Sequence, residues 1–184
     1  KMKMLFEKYL PIFFLLSSFL SMYIIANGKS LLRIIAGNDF DDGLYSFVLM
    51  SLYPIHQTFG QLNGSAFYAT RRTKQYANIG IVFSLIGMLI TYFILKDTRI
   101  NSVIDSSTGL SIKMVFINLI SVNTLLWYNS KFLNLKFWKL IFDQVKVILL
   151  TGFLIFGINF LLKQVFKSTI LILLFGGVIY FIMV

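Results

Sequence analysis

Six long, predominantly apolar stretches, at residues 9–27, 43–70, 77–95, 109–129, 145–162 and 167–184, occupy most of this 184-residue chain. Each falls within or above the range of about 17–25 residues with which a helix crosses a hydrocarbon core about 30 Å thick. Inside that core no water satisfies backbone groups, so a chain of continuous apolar runs crosses it as helices. The expected fold is therefore an all-α integral membrane protein, a single polytopic domain over residues 1–184 with about six transmembrane helices.

Composition agrees. Apolar residues make up 58% of the chain and charged residues 13%, against roughly 45–50% and 25% in soluble domains. The net charge of +10 comes from short basic clusters between apolar runs rather than from one polar face, which is a topology pattern and not a nucleic-acid footprint. With no cysteine and one histidine, the chain offers no disulfide framework, thiolate metal site or cysteine nucleophile; no metal and no cofactor are expected. Residues 1–8 precede an apolar run, but residues 23–28 lack a small-residue cleavage pattern, so the first helix is read as retained.

Placing the first residues in the cytoplasm puts ten basic and two acidic residues on the inside and seven basic and five acidic residues outside. By the positive-inside rule both ends are then cytoplasmic. Between the first two spans, Leu31, Leu32, Ile34 and Ile35 are expected to lie along the interface as a short amphipathic helix, with Asp41 or Asp42 capping the helix that follows.

The second span is the most polar. His56, Gly60, Asn63 and Gly64 recur at helical spacing, with Gln57, Gln61 and Ser65 on the adjoining face, and Pro54 is expected to bend the helix just before His56. Two roles are open to this stripe. Gly60 and Gly64 form a small-xxx-small contact while the amides and imidazole bond to neighbouring helices, or the stripe borders a hydrophilic passage. In the fourth span Asn118 and Ser121 form a weaker polar face, while Lys113, Trp127 and Tyr128 suit interfacial anchors. Arg71, Arg72 and Lys74 follow the polar helix and suit either anionic lipids or a ligand's anionic head group, with Arg33 a weaker candidate of the same kind. One histidine and no carboxylate inside the spans argue against an enzyme.

The run 53–76, from Tyr53-Pro54 through His56-Gln57, Gly60-Gln61 and Asn63-Gly64 to Arg71-Arg72-Thr73-Lys74, resembles the polysaccharide and O-antigen flippases of the multidrug/oligosaccharidyl-lipid/polysaccharide exporter superfamily. Arg72 stands where the turn glycine of that pattern is expected. Residues 78–95, 108–115 and 118–134 continue the resemblance, which covers roughly residues 9–140. It implies the later part of the second six-helix bundle of an exporter fold plus a terminal helix pair, with earlier helices preceding Lys1. It also implies flipping of an undecaprenyl-pyrophosphate-linked oligosaccharide, an O-antigen or capsule repeat unit for lipopolysaccharide or capsule, across the bacterial inner membrane by alternating access. Membrane lipids and a polysaccharide polymerase machinery are the further partners implied. On this resemblance His56, Gln57, Gln61, Asn63 and Asn118 line the sugar passage, and Arg71, Arg72, Lys74 and Arg33 meet the pyrophosphate. The alternatives are a drug or cation exporter of the same superfamily, which needs an acidic residue within its spans, and a membrane enzyme or structural subunit of polysaccharide assembly.

Overall fold

A computed structural model describes residues 2–96, 105–166 and 168–184. Lys1, Lys167 and residues 97–104, which hold Asp97, Arg99 and most of the longest polar gap, lie outside the described residues. Among the described residues every regular element is helical: α1 (Met2–Ala36), a 3-10 turn (Asn38–Gly43), α2 (Leu44–Met50), α3 (Tyr53–Ala69), α4 (Thr73–Lys96), α5 (Ser106–Leu133), α6 (Phe137–Val165) and α7 (Thr169–Met183). Four of these, α1, α4, α5 and α6, are long and apolar enough to cross a membrane. The second apolar stretch is divided between α2 and α3, and the last forms a helix of 15 residues.

The first departure from expectation is α1. Its 35 residues extend about 52 Å at 1.5 Å per residue, and they absorb the segment expected to form a separate interfacial helix. Gly28 does not break the chain; it makes room for α2. A Cβ there would lie 2.7 Å from Val48 Cγ2, so α2 crosses α1 where a side chain is missing. Leu31 and Leu32 are half-buried while Ile34 and Ile35 face outward. The helix ends at Gly37, whose φ of 90° suits a residue without Cβ.

The second departure lies at Ser51 and Leu52, where α2 ends and α3 begins. Pro54 falls at the second position of α3, where its missing N–H would have had no intrahelical partner. It starts a helix rather than bending one, and the discontinuity falls a few residues before His56. Neither Asp41 nor Asp42 caps α2: Gly43 holds the cap position and no side-chain cap bond forms. Asp41 is instead engaged by Arg33.

The α3–α4 connection explains how the polar helix stops. Arg72 N–H donates to Phe67 O at 2.9 Å and Arg71 N–H to Tyr68 O at 3.1 Å, the paired bonds of a Schellman turn. The left-handed residue of this turn is Arg71, with φ 57°, and not Arg72. A non-glycine residue in that region costs about 1–2 kcal/mol, part of which glycine would return through its looser unfolded chain. Arg71→Gly is therefore expected to stabilise the fold by about 0.5–1 kcal/mol, read as a higher melting temperature in detergent. A lower melting temperature would show that the arginine side chain outweighs its backbone strain. Asn134, at φ 52°, ends α5 in the same conformation with a residue that tolerates it better.

Packing follows two seams joined by α1. The helix α5 lies against α2, α3 and α4, while α1 lies against α2, α3 and α6, and α7 against α6. The core between them contains Leu10 and Phe14 of α1, Ile55 and Phe59 of α3, Val122 and Leu126 of α5, and Ile155 of α6. Phe14 meets Phe59 edge-on at 5.2 Å, a favoured aromatic geometry. Interhelical polar bonds hold the second seam. Asn159 Nδ2 donates to Asn27 Oδ1 at 3.0 Å, Tyr23 OH to Leu173 O at 2.8 Å, and Tyr180 OH to Thr151 O at 3.0 Å. In an apolar surrounding such bonds act as helix glue.

Charge separates the two ends of the bundle. Lys3 Nζ donates to Asn134 O at 2.9 Å and the Arg72 guanidinium lies 3.4 Å from the centre of the Phe132 ring. One end thus gathers the start of α1, the α3–α4 turn, the end of α5 and the start of α6, with Arg71, Arg72, Lys74, Lys131, Lys136 and Lys139. At the other end Ser46 Oγ donates to Ser107 Oγ at 3.1 Å, and the acidic residues Asp39, Asp41, Asp42 and Asp105 are found there.

Candidate functional site

The polar stripe of α3 divides into two faces with different surroundings. His56, Asn63 and Gly64 are buried between helices, whereas Gln57, Gln61 and Ser65 face out of the bundle. At 100° per residue, the exposed residues Pro54, Gln57, Gln61, Ser65 and Tyr68, with the half-buried Thr58, fall within an arc of about 100°. Apart from Pro54 at its start that arc contains no aliphatic side chain, and Ala69 is exposed just beyond it. The outward face of α4 is the opposite case, carrying Ile81, Val82, Leu85, Ile86, Leu89 and Phe93. A face like that of α4 suits lipid; a face like that of α3 calls for a polar neighbour or water.

The buried half of the stripe is packing. Asn129 Nδ2 on α5 donates to Asn63 Oδ1 at 2.9 Å and to Asn63 O at 3.1 Å, and both side chains are essentially inaccessible. His56 is 8% exposed, and its Nδ1 has no hydrogen-bond partner among the described residues. Gly60 lies against Val122 of α5 and Gly64 against the Tyr76 ring of α4. The two glycines therefore serve two different neighbours instead of one close helix pair.

Asn118 belongs to neither half. Its Nδ2 donates to Tyr53 O at 3.3 Å, across the start of α3. With Lys113, Ser121 and Tyr53 it borders a cavity of about 460 Å³ between α4 and α5. Tyr53 precedes Gln57, Gln61 and Ser65 at intervals of four residues, so the outward polar row begins at this cavity. At its far end Ser65 borders an apolar groove of about 440 Å³ between α1 and α3, walled by Leu5, Tyr9, Phe13 and Leu62.

The basic candidates separate as well. Arg71 and Lys74 are exposed at the α3–α4 turn, and Arg72 is stacked on Phe132. Arg33 sits at the opposite end, its Nε donating to Asp41 Oδ1 at 2.9 Å and its Nη2 to Asp41 Oδ2. Those hydrogen bonds hold the Asp41 carboxyl below the usual carboxylate range, and they neutralise the charge Arg33 would offer an anion. Of the expected interfacial anchors, Trp127 carries Lys131 Nζ 3.4 Å from the centre of its ring. Lys113 does not reach toward the helix end but donates to Thr91 Oγ1 at 2.9 Å.

The residues that sequence reasoning passed over are Tyr23, Asn27, Asn159 and Tyr180. Each is a single polar group within or at the end of an apolar run, and Asn27, flanked by Ala26 and Gly28, carried the clearest signal of interhelical use. Comparison with family models, with curated proteins and with solved structures finds no match to this chain.

Proposed function

We propose that this protein is part of a flippase that moves an undecaprenyl-pyrophosphate-linked oligosaccharide across the bacterial inner membrane, its helices acting as the later part of the second bundle of an exporter-type fold. On this reading α2 and α3 together make one interrupted crossing and α7 makes the last, giving six, with the strongly basic end in the cytoplasm. The observation that carries it is the outward row Gln57, Gln61 and Ser65 along the middle of α3, within a chain whose other long helices turn aliphatic side chains outward.

Gln57, Gln61 and Ser65 supply neutral donors and acceptors, which suit sugar hydroxyls and demand no counter-charge. Arg71, Arg72 and Lys74 stand at the cytoplasmic mouth, where a pyrophosphate would be gathered. The lipid tail stays in hydrocarbon, so only the head group needs the polar face. The resemblance of residues 53–76 to polysaccharide flippases supports the same assignment. An acid-coupled drug exporter and a membrane enzyme draw less support, because the acidic side chains of the described residues lie between helices or within the first two turns of one.

Deleting the gene tests the reading. The expected result is loss of surface polysaccharide together with accumulation of the lipid-linked repeat unit on the cytoplasmic leaflet. Normal surface polysaccharide, or loss without accumulation, would overturn it.

A further inference from the structure

Lys113 is a cation placed where a membrane helix seldom carries one. It lies about 10 Å along the axis from the middle of α5, at 1.5 Å per residue, and Thr91, to which it bonds, lies about the same distance from the middle of α4. For helices centred on a core with a half-thickness of about 15 Å, both residues stand about 5 Å beneath the polar boundary. A lysine at that depth can straighten toward the interface. Here it is half-buried and turned sideways to a neighbouring helix.

Its partner does not balance its charge. Thr91 offers a neutral hydroxyl, and the ion pairs formed among the described residues are Lys3 with Glu7 and Arg33 with Asp41. The space beside Lys113 is a cavity of about 460 Å³, kept open on the α4 side by Gly80, Ser84 and Gly87. Its polar rim is made of hydroxyls and an amide: Ser84, Thr91, Asn118 and Ser121. A pocket with one cation, neutral hydroxyl and amide groups and, among the described residues, no carboxylate favours a group with many acceptor oxygens and negative charge. The ammonium acts there as a point charge, which suits a phosphoryl group better than the paired oxygens of a carboxylate, the natural match of arginine.

We propose that the cavity between α4 and α5 is a binding site for a phosphoryl oxyanion, with Lys113, held by Thr91, as its cation and Asn118 as its neutral donor. The site stands at the far end of the outward polar row from the Arg71, Arg72 and Lys74 cluster. Its use for the pyrophosphate of a lipid-linked sugar, on the exit half of the passage, rests on the transport reading above; the affinity for a phosphoryl group does not.

The test is calorimetric titration of the purified full chain in lipid nanodiscs with two probes, inorganic pyrophosphate and farnesyl pyrophosphate. Both are expected to bind saturably. Lys113→Gln should weaken binding about tenfold or more, the loss of one charged hydrogen bond, while Lys113→Arg keeps most of it. Lys131→Gln, at the basic end on Trp127, should leave it unchanged. Asn118→Leu gives an arm independent of the lysine, since it replaces the amide that lines the cavity by an apolar side chain. It should weaken binding with Lys113 intact. Tighter binding of farnesyl than of inorganic pyrophosphate, lost with Lys113→Gln, assigns the site to a lipid-linked anion; equal affinities assign it to a free one. Absence of saturable binding, equal weakening by Lys131→Gln, or full binding in Asn118→Leu would each overturn the proposal. Because the readout is binding and not surface polysaccharide, the site can stand where the transport reading falls, and the reverse.

Discussion

On the proposed transport function, replacing Gln57 and Gln61 together with leucine is expected to cut transfer of the sugar-lipid by roughly ten- to a hundredfold, at unchanged protein abundance, when scored as surface polysaccharide against membrane-extracted protein. The magnitude follows from the chemistry of the contact. A neutral hydrogen bond to a hydroxyl is worth about 0.5–1.5 kcal/mol, so two of them lost in the same step give roughly one to two powers of ten. Both glutamines face out of the bundle and Ser65 and Thr58 bond only to carbonyls of their own helix, so the substitution removes no interhelical bond of the core. The sign of the result discriminates. Were this face to lie against lipid, leucine would be the better residue at both positions on the insertion scale, and the double variant would be more abundant with transport intact. His56→Ala is the contrasting change. The imidazole is packed between helices, so its loss acts on abundance and transport together.

How far the sequence foretold this arrangement depends on the kind of signal each part leaves. The stretches 77–95, 109–129 and 145–162 correspond to α4, α5 and α6, because continuous apolarity is a local property and hydropathy reads it directly. The expected span 145–162 began eight residues late, since Trp138, Lys139 and Asp143 dilute the first turns of α6 without breaking its helix. At the break between α2 and α3 the local signal misled. Pro54 is the conspicuous residue, yet proline is at home in the first turn of a helix, so it marks where α3 starts and not where it bends. At Gly28 the misreading ran the other way, because a glycine that admits a neighbouring helix looks the same in sequence as one that ends its own.

The polar stripe shows the deeper limit. Helical spacing placed His56, Asn63 and Gly64 on one face and Gln57, Gln61 and Ser65 on the next, and the fold keeps them on those faces. Which face turns inward is decided by α5, and above all by Asn129, 66 positions from Asn63. No period within α3 contains that information. The same holds for Lys113, which reads as an anchor from its place near a helix end and becomes a groove residue only when Thr91 is brought beside it.

That division of partners gives the second large expected effect, which lies on stability. A Cβ at Gly64 would stand 3.1 Å from Tyr76 Oη, 3.2 Å from Cζ and 3.3 Å from Cε2, and one at Gly60 would stand 3.0 Å from Val122 Cγ2. Gly64→Leu drives a branched side chain into the ring that packs on Phe67 and Tyr68, and it does so a few residues from the Schellman turn that sets the course of α4. Overpacking costs about 1–3 kcal/mol, and each displaced aromatic contact adds about 0.5–1.5 kcal/mol, so the total approaches the largest values that single changes produce. A sharply lower melting temperature in detergent and reduced abundance are expected. Rescue should be specific to the neighbour: Tyr76→Leu relieves Gly64→Ala, Val122→Ala relieves Gly60→Ala, and the crossed combinations relieve neither, since changes without a shared partner add independently. Were the two glycines instead one small-xxx-small seam against a single helix, one compensating change on that helix would ease both, and the crossed pairs would couple as strongly as the direct ones.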